Sequence, residues 1–384
     1  MSHQNTIFQQ ILQFVPRHDF AKCVKKYKGE AFSKGFSSWS QFTAMLFGQL
    51  SSQSGLRGIE SGLETNNSSL YHLGIHPVKR STLAYANENR PHQVYQELFY
   101  SLLGKLHGKS KKHKFKNPLY SVDASTIDLC LNLFPWAHFR RNKAGIKLHV
   151  KLDHSGYIPS FVTVTTAKVH EMNEIRDMPV NKGDVLVFDR GYIDFKQFAK
   201  YCKEKIYFVT RMKKNATYEI LMENNVEQYE NIHYDRIIRM NGLRTGKDCP
   251  CELRIVESYD PDTDKTIILL TNQLTWSPKT VSAVYKDRWQ IEIFFKTIKQ
   301  NLKIKSFFGT SRNAVLTQIW ISLIAFLLVK YLSGQTSGAS SVGALMSVMA
   351  VMLFLRKDLW LWLNKPKPDG NLSDNSYGQM GLFL

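Results

Sequence analysis

Cysteine is scarce in this sequence of 384 residues, where only five copies occur. Their odd number and scattered positions do not suit a disulfide framework, so we expect a protein of a reducing compartment. The segment Cys249-Pro250-Cys251 has the ligand type of a metal clip. It lacks a second pair of ligands at zinc-site spacing, and we therefore interpret it as a loop.

Export and membrane signals are also lacking. The N-terminus has no basic segment that leads into an apolar core, so we expect no signal peptide. Two stretches are apolar: residues 314–332, which Gln318 and Lys330 interrupt, and residues 342–355, which are too short to span a bilayer. We expect both to form buried helices in a cytoplasmic protein that does not associate with a membrane.

Acidic residues are outnumbered, because 32 Asp and Glu face 51 Lys and Arg and leave a formal net charge of +19. Lys and Arg gain free energy by displacing counterions from phosphates, so this excess favours a polyanionic partner. An anionic membrane surface, or a basic protein without such a partner, would show the same excess. The hydrophobic content of 43% argues against global disorder.

The first 107 residues have apolar spacing typical of short helices. Ser81 is a candidate N-cap for a helix that runs to about residue 106. Lys79 and Arg80 precede this helix, and Asn87 and Arg90 lie along it, as DNA-reading or phosphate-binding side chains would. A helical packing domain with a solvated basic edge fits the same pattern. A basic linker follows at 108–118.

After Pro118 the pattern changes to strands. Residues 119–122 form an apolar run that ends at Asp123, residues 126–131 predict a second strand, and residues 184–188 predict a buried strand that ends at Asp189. Two strands that each deliver an aspartate, with helices between them, predict a mixed α/β sheet with carboxylates at strand ends. We expect the core at 119–211, a β-rich segment at 212–277, the rest of the core with C-terminal helices at 278–364, and a loosely ordered tail at 365–384.

The segment 285–299 predicts a helix with chemically distinctive residues on one face. At about 100° per residue, Tyr285, Arg288, Glu292 and Lys299 fall within an arc of roughly 60°. A carboxylate between two cations and a phenol suits a metal ion next to a phosphate. Taken alone, the same pattern describes an ordinary solvated helix with a surface ion pair.

Asp123, Asp189 and Glu292 in a basic chain suggest a carboxylate cage for two divalent cations. Two such ions can activate the attacking oxygen and stabilise the leaving oxygen of an in-line displacement at phosphorus. Glycosidases also use paired carboxylates, but their neutral substrates would not call for this excess of positive charge.

Three motifs occur in a fixed order, and about 100 residues separate the second aspartate from the glutamate. Together they resemble the DDE transposases of the insertion-sequence-4 family, whose Y-R-E-K signature the last motif matches at full spacing. The motifs are Tyr120-Ser121-Val122-Asp123-Ala124-Ser125, Phe188-Asp189-Arg190-Gly191-Tyr192 and Tyr285-x-x-Arg288-x-x-x-Glu292-x-x-x-x-x-x-Lys299.

This resemblance implies an RNase H-like mixed sheet with helices, interrupted by a β-rich insertion at 212–277 and preceded by a helical N-terminal domain that binds the DNA end. It implies Asp123, Asp189 and Glu292 as catalytic ligands of two Mg²⁺ or Mn²⁺ ions. DNA-binding residues would be Tyr285, Arg288, Lys299, Arg190, Lys79 and Arg80.

In that family water cleaves one strand at the end of the element, and the freed 3′-hydroxyl attacks the opposite strand to give a hairpin that is reopened before insertion. The resemblance implies cut-and-paste movement, terminal inverted repeats and target DNA as partners, a homodimer in the synaptic complex, and a bacterial, nucleoid-associated enzyme. Trp289 is expected to pack. A non-catalytic DNA-binding copy and a related nuclease without strand transfer remain as alternatives.

Overall fold

The computed structural model describes residues 5–31, 33–107, 117–169, 171–213, 215–261, 264–302, 304, 306–336 and 341–364. Most of the linker predicted at 108–118 and the tail predicted at 365–384 lie outside these ranges. The described residues form a mixed α/β fold in which a helical region precedes one large mixed sheet.

The N-terminal region is helical, as the sequence predicts. Ser37 begins α3 by accepting a hydrogen bond from the Ser40 amide, and every residue of that helix is buried. The helices are α1 (Ile7–Leu12), α2 (Arg17–Lys26), α3 (Ser38–Leu50), α4 (Leu56–Thr65), α5 (Asn67–Leu73), α6 (Arg80–Asn89) and α7 (Gln93–His107).

The single helix predicted from Ser81 to about residue 106 is wrong, because a proline divides it. Pro91 has no amide hydrogen and disfavours helical backbone at the preceding residue. Arg90 is accordingly extended, with φ −84° and ψ 138°, and α6 ends before it. The N-cap of α6 is Lys79, whose side chain makes no capping hydrogen bond.

One sheet contains ten strands within the described ranges, in the order β2-β3-β1-β5-β6-β10-β9-β8-β7, with β4 paired to β3. β1 runs antiparallel to β3 and parallel to β5, and β5 runs parallel to β6. The strands are β1 (Leu119–Leu129), β2 (His138–Arg140), β3 (Lys143–Asp153), β4 (Ile158–Thr166), β5 (Val185–Val187), β6 (Tyr207–Arg211), β7 (Tyr218–Glu223), β8 (Ile232–Met240), β9 (Leu253–Asp260) and β10 (Lys265–Thr271).

β1 is one strand where the sequence predicted two. It pairs with β3 without interruption, and Asp123 lies opposite Val150. Asp123 is therefore inside a strand and not at its end. The polar residues after Asp123 stay extended because β3 supplies partners for their backbone groups.

The segment predicted as β-rich continues this sheet. The runs predicted as strands at 236–238, 253–256 and 266–270 lie within β8, β9 and β10. β10 pairs antiparallel with β6, with Leu270 opposite Thr210. Residues 212–277 thus extend the edge of the sheet that β6 would otherwise form.

Eight further helices are described: α8 (Glu171–Arg176), α9 (Phe195–Glu204), α10 (Thr245–Asp248), α11 (Pro278–Lys286), α12 (Trp289–Asn301), α13 (Arg312–Gln335), α14 (Val342–Met352) and α15 (Leu359–Leu363). α9 and α11 both contact β6. α13 contacts α3, α6 and α7, so the N-terminal helices and the C-terminal helices share one hydrophobic core.

The helix predicted across 285–299 is interrupted between α11 and α12. The amides of Arg288 and Ile291 each donate to the carbonyl three residues earlier. Such bonds tighten the turn to about three residues, or about 120° per residue. Three residues then make a full turn, so Arg288 lies on the same face as Tyr285, which is buried among Val281 and Val284.

α13 is long and apolar enough to cross a membrane by length and composition, and 89% of its apolar stretch is buried inside the fold. The prediction that residues 314–332 form a buried helix is confirmed. α14 buries one face only, because Val351 stays 80% exposed while Met349 is fully buried.

Candidate active site

Two of the three predicted carboxylates lie on adjacent parallel strands. Ser121 of β1 is in register with Val187 of β5. Asp123 and Asp189 each lie two residues further along, and Asp189 keeps an extended backbone, with φ −77° and ψ 163°. Both aspartates thus lie just past the last paired residues of two neighbouring strands, which run about 5 Å apart where they pair.

Hydrogen bonds orient the carboxylate of Asp123. Its Oδ1 accepts from the Ala124 amide at 2.8 Å and from the Tyr192 hydroxyl at 3.2 Å. Tyr192 is buried in the short turn that follows Asp189, so this bond ties the two aspartate segments together. Arg190 lies in the same turn and is exposed to solvent.

Arg288 links the glutamate to the aspartates. Its Nη2 donates to Oε1 of Glu292 at 2.6 Å, and its side chain is only 15% exposed. Burial lowers the pKa of Arg288. The hydrogen bond to Glu292 and the nearby charges of Tyr285, Glu292 and Asp123 raise it by more than burial lowers it, so the net pKa is raised. The guanidinium is therefore a fixed positive charge between α12 and β1.

Tyr285 lies between two guanidinium groups. The Cζ atoms of Arg288 and Arg211 are 5.7 Å and 5.9 Å from its ring centroid. Burial raises the pKa of Tyr285, and Asp189 adds to that increase, while the two arginines oppose it. Among the described residues, the Tyr285 hydroxyl and the Arg288 Nε are both buried without a well-aligned hydrogen-bond partner.

In the ranges that the structure describes, no three His, Cys, Asp or Glu side chains are arranged to hold a metal ion. Glu292 is engaged by Arg288, and Asp123 by Tyr192. The donor set of Asp123, Asp189 and Glu292 is chemically suited to Mg²⁺, which prefers oxygen ligands. Joint ligation by the three carboxylates stays a prediction, and Arg288 engages one of the two Glu292 oxygens.

Lys299 fastens α12 to β1, since its Nζ donates to the Thr126 carbonyl at 2.9 Å. Thr126 also lines a cleft of about 590 Å³. Four of the residues that line this cleft are cationic: Arg140, Lys143, Lys147 and Lys168. We call this the basic cleft; it extends the positive surface from the candidate site along β1 and β3.

The N-terminal candidates lie apart from these residues. Lys79 and Arg80 are exposed, and Lys79 pairs with Glu60 at 3.4 Å. The prediction that Asn87 and Arg90 read or clamp DNA is wrong. Asn87 is buried and accepts a hydrogen bond from Gln41, and Arg90 donates to Ser33 and to the Phe36 carbonyl.

Sequence reasoning missed a hydrogen-bonded chain behind the site. Nδ1 of His154 donates to Oδ2 of Asp287 at 2.6 Å, because a carboxylate only accepts, and Nε2 lies 2.7 Å from Oγ of Ser121. Asp287 sits at the break between α11 and α12, beside Arg288, and Ser121 is two residues before Asp123. The sequence held one signal for this chain, since Asp287 directly precedes Arg288 of the Y-R-E-K signature.

Two other residues differ from expectation or were overlooked. Trp289 was expected to pack, but it is 58% exposed at the first turn of α12, so that prediction is wrong. Arg211 closes β6 and was not singled out, because no local pattern marks a strand-end arginine as a partner of Tyr285.

The chain matches known proteins over most of its length. A family model described as a transposase DDE domain matches residues 114–328, and one described as a domain of unknown function matches residues 3–76. "Putative transposase y4zB" of Sinorhizobium fredii is 30% identical over 74% of this chain and 80% of its own. "Probable transposase for insertion sequence element IS5377" of Geobacillus stearothermophilus is 27% identical over 68% of this chain and 69% of its own.

Among solved structures, a piggyBac transposase synaptic complex with hairpin DNA aligns with 91% of this chain and 78% of its own, at 12% identity and a TM-score of 0.43. The family match covers more than half of the sequence and contains the three acidic motifs. On that match and on the identity to y4zB, this chain belongs to the family of transposases with a DDE domain.

Proposed function

We propose that this DNA transposase moves an insertion sequence by a cut-and-paste route, with Asp123, Asp189 and Glu292 as the ligands of two Mg²⁺ or Mn²⁺ ions. The observation that supports this most is the register of β1 and β5, because Asp123 and Asp189 each lie two residues past the Ser121–Val187 pair. When bound, the ions would activate the attacking oxygen and stabilise the leaving oxygen at phosphorus.

Three side chains next to the carboxylates supply what a scissile phosphate needs. The Tyr285 hydroxyl and the Arg288 Nε are donors without a well-aligned partner among the residues that the structure describes, and a phosphate oxygen would accept from both. Arg211 adds a second guanidinium near the Tyr285 ring, with its Cζ 5.9 Å from the ring centroid. These groups would bind and neutralise the phosphate while the carboxylates bind the cations.

The DNA would continue over the basic cleft. Its four cations lie along β2, β3 and the segment after β4, next to the strand that carries Asp123. Cations spaced along strands suit a phosphate backbone, since each contact releases a counterion. Lys299, together with exposed Arg190, Lys79 and Arg80, would add further phosphate contacts.

The strand order supports a finer description of the fold. β4, β3, β1, β5 and β6 lie in that order, with two antiparallel pairs followed by two parallel pairs. We take this to be an RNase H-like core. Residues 212–277 would be an insertion in it, added to the sheet through β10, and the enzyme would belong to the insertion-sequence-4 group.

The remaining parts of the proposal follow from the reaction. Joining two element ends requires a homodimer in the synaptic complex, with terminal inverted repeats and target DNA as ligands. The helical residues 1–107 would bind the element end. The cell compartment would be the bacterial cytoplasm, on the nucleoid.

A strand-cleavage assay tests the assignment. A DNA duplex that carries the end of the element is incubated with the full chain and Mg²⁺, and nicks, hairpins and joined products are resolved on denaturing gels. Asp189→Asn should abolish all three products and leave end binding intact. Asp177→Asn is a matched control, because Asp177 is exposed and lies outside the site.

Each outcome has a clear meaning. Cleavage by Asp189→Asn at the parental rate would refute the role of Asp189. Nicks without hairpins or joined products would select a nuclease without strand transfer. End binding without cleavage in either metal would select a non-catalytic DNA-binding copy.

A further inference from the structure

Three of the five cysteines meet at one point of the fold. Cys202 lies near the end of α9, Cys249 follows α10, and Cys251 lies just before β9. The Sγ atoms of Cys251 and Cys202 are 2.8 Å apart, and those of Cys249 and Cys251 are 3.2 Å apart. Residues 49 positions apart in the chain thus place their sulfurs in direct contact.

The three thiols are chemically unequal. Contacts with the sulfurs of Cys202 and Cys249 lower the pKa of Cys251, while the pKa of Cys202 and that of Cys249 are raised. Cys251 and Cys202 are half-buried, and Cys249 is fully buried. Cys251 is therefore both the best thiolate of the cluster and open to small reagents.

The spacing of the sulfurs favours bond formation between them over metal binding. Thiolates that share a tetrahedral zinc ion at 2.3 Å lie about 3.8 Å from one another. Both measured contacts are shorter, and no metal-binding group of three is found among the described residues. A disulfide needs its sulfurs at about 2.05 Å, a shift of less than about 1 Å for Cys251 and Cys202.

We propose that Cys251 and Cys202 form a redox-active pair that a hydroperoxide oxidises to a disulfide. The Cys251 sulfur attacks the hydroperoxide, the O–O bond breaks, and the departing oxide takes up the proton that Cys251 gave up. The resulting sulfenic acid is attacked by the Cys202 sulfur, the S–O bond breaks, and the Cys202 proton leaves with the oxygen as water. Two thiols lose two electrons, and the hydroperoxide is reduced to an alcohol or water.

The bond would connect two parts of the transposase. α9 follows the turn that contains Tyr192, whose hydroxyl contacts Asp123, and Cys251 leads into β9 of the 212–277 segment. The closed loop would contain β6, β7 and β8. Closing a long loop restricts the unfolded chain, so the oxidised protein should melt at a higher temperature than the reduced protein.

Peptide mapping tests the pair on the unmodified sequence. The full chain is reduced, freed of reductant, treated with hydrogen peroxide, blocked with N-ethylmaleimide, digested and analysed by mass spectrometry. We expect two fewer labelled thiols, a peptide that joins Cys202 to Cys251, and labelled Cys23 and Cys130. The zinc and copper content of the untreated protein is measured in parallel.

Serine variants distinguish the proposed Cys202–Cys251 pair from the other cysteines. Cys251→Ser should lose the joined peptide and the rise in melting temperature, whereas Cys249→Ser and Cys130→Ser should keep both. Oxidation of Cys251 to a sulfinic acid without a joined peptide would overturn the proposal. The proposal would also be overturned if the untreated protein contained one zinc or copper ion per chain and Cys251→Ser lost that ion.

Discussion

The hydrogen bonds of His154 should set the position of Glu292. Its ring joins Ser121 on β1 to Asp287 at the start of α12, and its side chain is only 2% exposed. β1 contains Asp123 and α12 contains Glu292. We expect His154 to act through these neighbours, as a positioning residue that does not touch DNA.

The expected cost of removing the ring can be worked out from its two bonds. The bond to the ionised Asp287 should contribute about 2 kcal/mol and the bond to Ser121 about 1 kcal/mol. His154→Ala should therefore lower the free energy of unfolding by about 3 kcal/mol, before any loss of packing. Displacement of Glu292 by about 1 Å should lower the rate of strand cleavage about 100-fold.

Two measurements distinguish positioning from general destabilisation. Single-turnover cleavage is measured at a temperature at which urea titration shows the variant to be folded, and DNA affinity is measured by fluorescence anisotropy. Cleavage should fall while affinity stays within about twofold, because the phosphate-binding cations are unchanged. His154→Asn, whose amide can still donate to Asp287, should recover part of the rate.

Tyr157→Phe is the matched control. The Tyr157 hydroxyl lies 3.3 Å from both carboxylate oxygens of Asp287, so its removal weakens the same carboxylate without breaking the connection to β1. It should cost less than about 1 kcal/mol. A parental cleavage rate in folded His154→Ala, or an equal loss in Tyr157→Phe, would refute the positioning role.

Three further predictions concern stability and DNA binding. Asp235→Asn should lower the free energy of unfolding by about 3–5 kcal/mol in urea titrations, because Arg254, which is 3% exposed and bonded to both Asp235 oxygens, would be left as a buried unpaired charge. Asp194→Ala should cost about 1 kcal/mol at pH 7, since Asp194 caps α9. Burial raises the pKa of Asp194, but hydrogen bonds from Arg176 and from two α9 amides lower it by more, so the net pKa is lowered. Because its folded pKa is below the unfolded value of about 3.9, that contribution should be present above pH 4 and lost as the pH falls through the folded pKa, so the variant and the parent should converge near pH 2. Lys143→Gln in the basic cleft should weaken DNA binding equally for all sequences and reduce the salt slope by about 1, measured by anisotropy from 50 to 200 mM salt.

Local signals were sufficient where one segment decides its own structure. The apolar run before Asp189 predicted β5 and the exit of the aspartate from it. Pro91 also held a local signal, and the unbroken helix predicted across it ignored the backbone restriction that proline imposes.

Distant partners determined the features that the sequence did not predict. Asp123 lies inside β1 because β3, about 25 residues further on, pairs with the whole strand. Asn87 is buried because Gln41 of α3 donates to it, and no pattern along α6 indicates that neighbour. The three thiols converge only once α9 and the segment before β9 have packed together.

The pairing of Arg288 with Glu292 predicts a coupling between DNA binding and cation binding. In the part of the chain that the structure describes, the guanidinium donates to the Glu292 carboxylate, and its Nε is buried without a well-aligned partner. A DNA phosphate would compete for the same guanidinium and release Glu292 toward Asp123 and Asp189. DNA and cations should then bind with positive coupling, which by linkage acts in both directions. We expect the Mn²⁺ affinity, measured by electron paramagnetic resonance, to rise when an uncleavable DNA end is added, and Arg288→Met to remove that dependence. Equal Mn²⁺ affinity of the parent with and without DNA would mean that Arg288 is not the link between the two ligands.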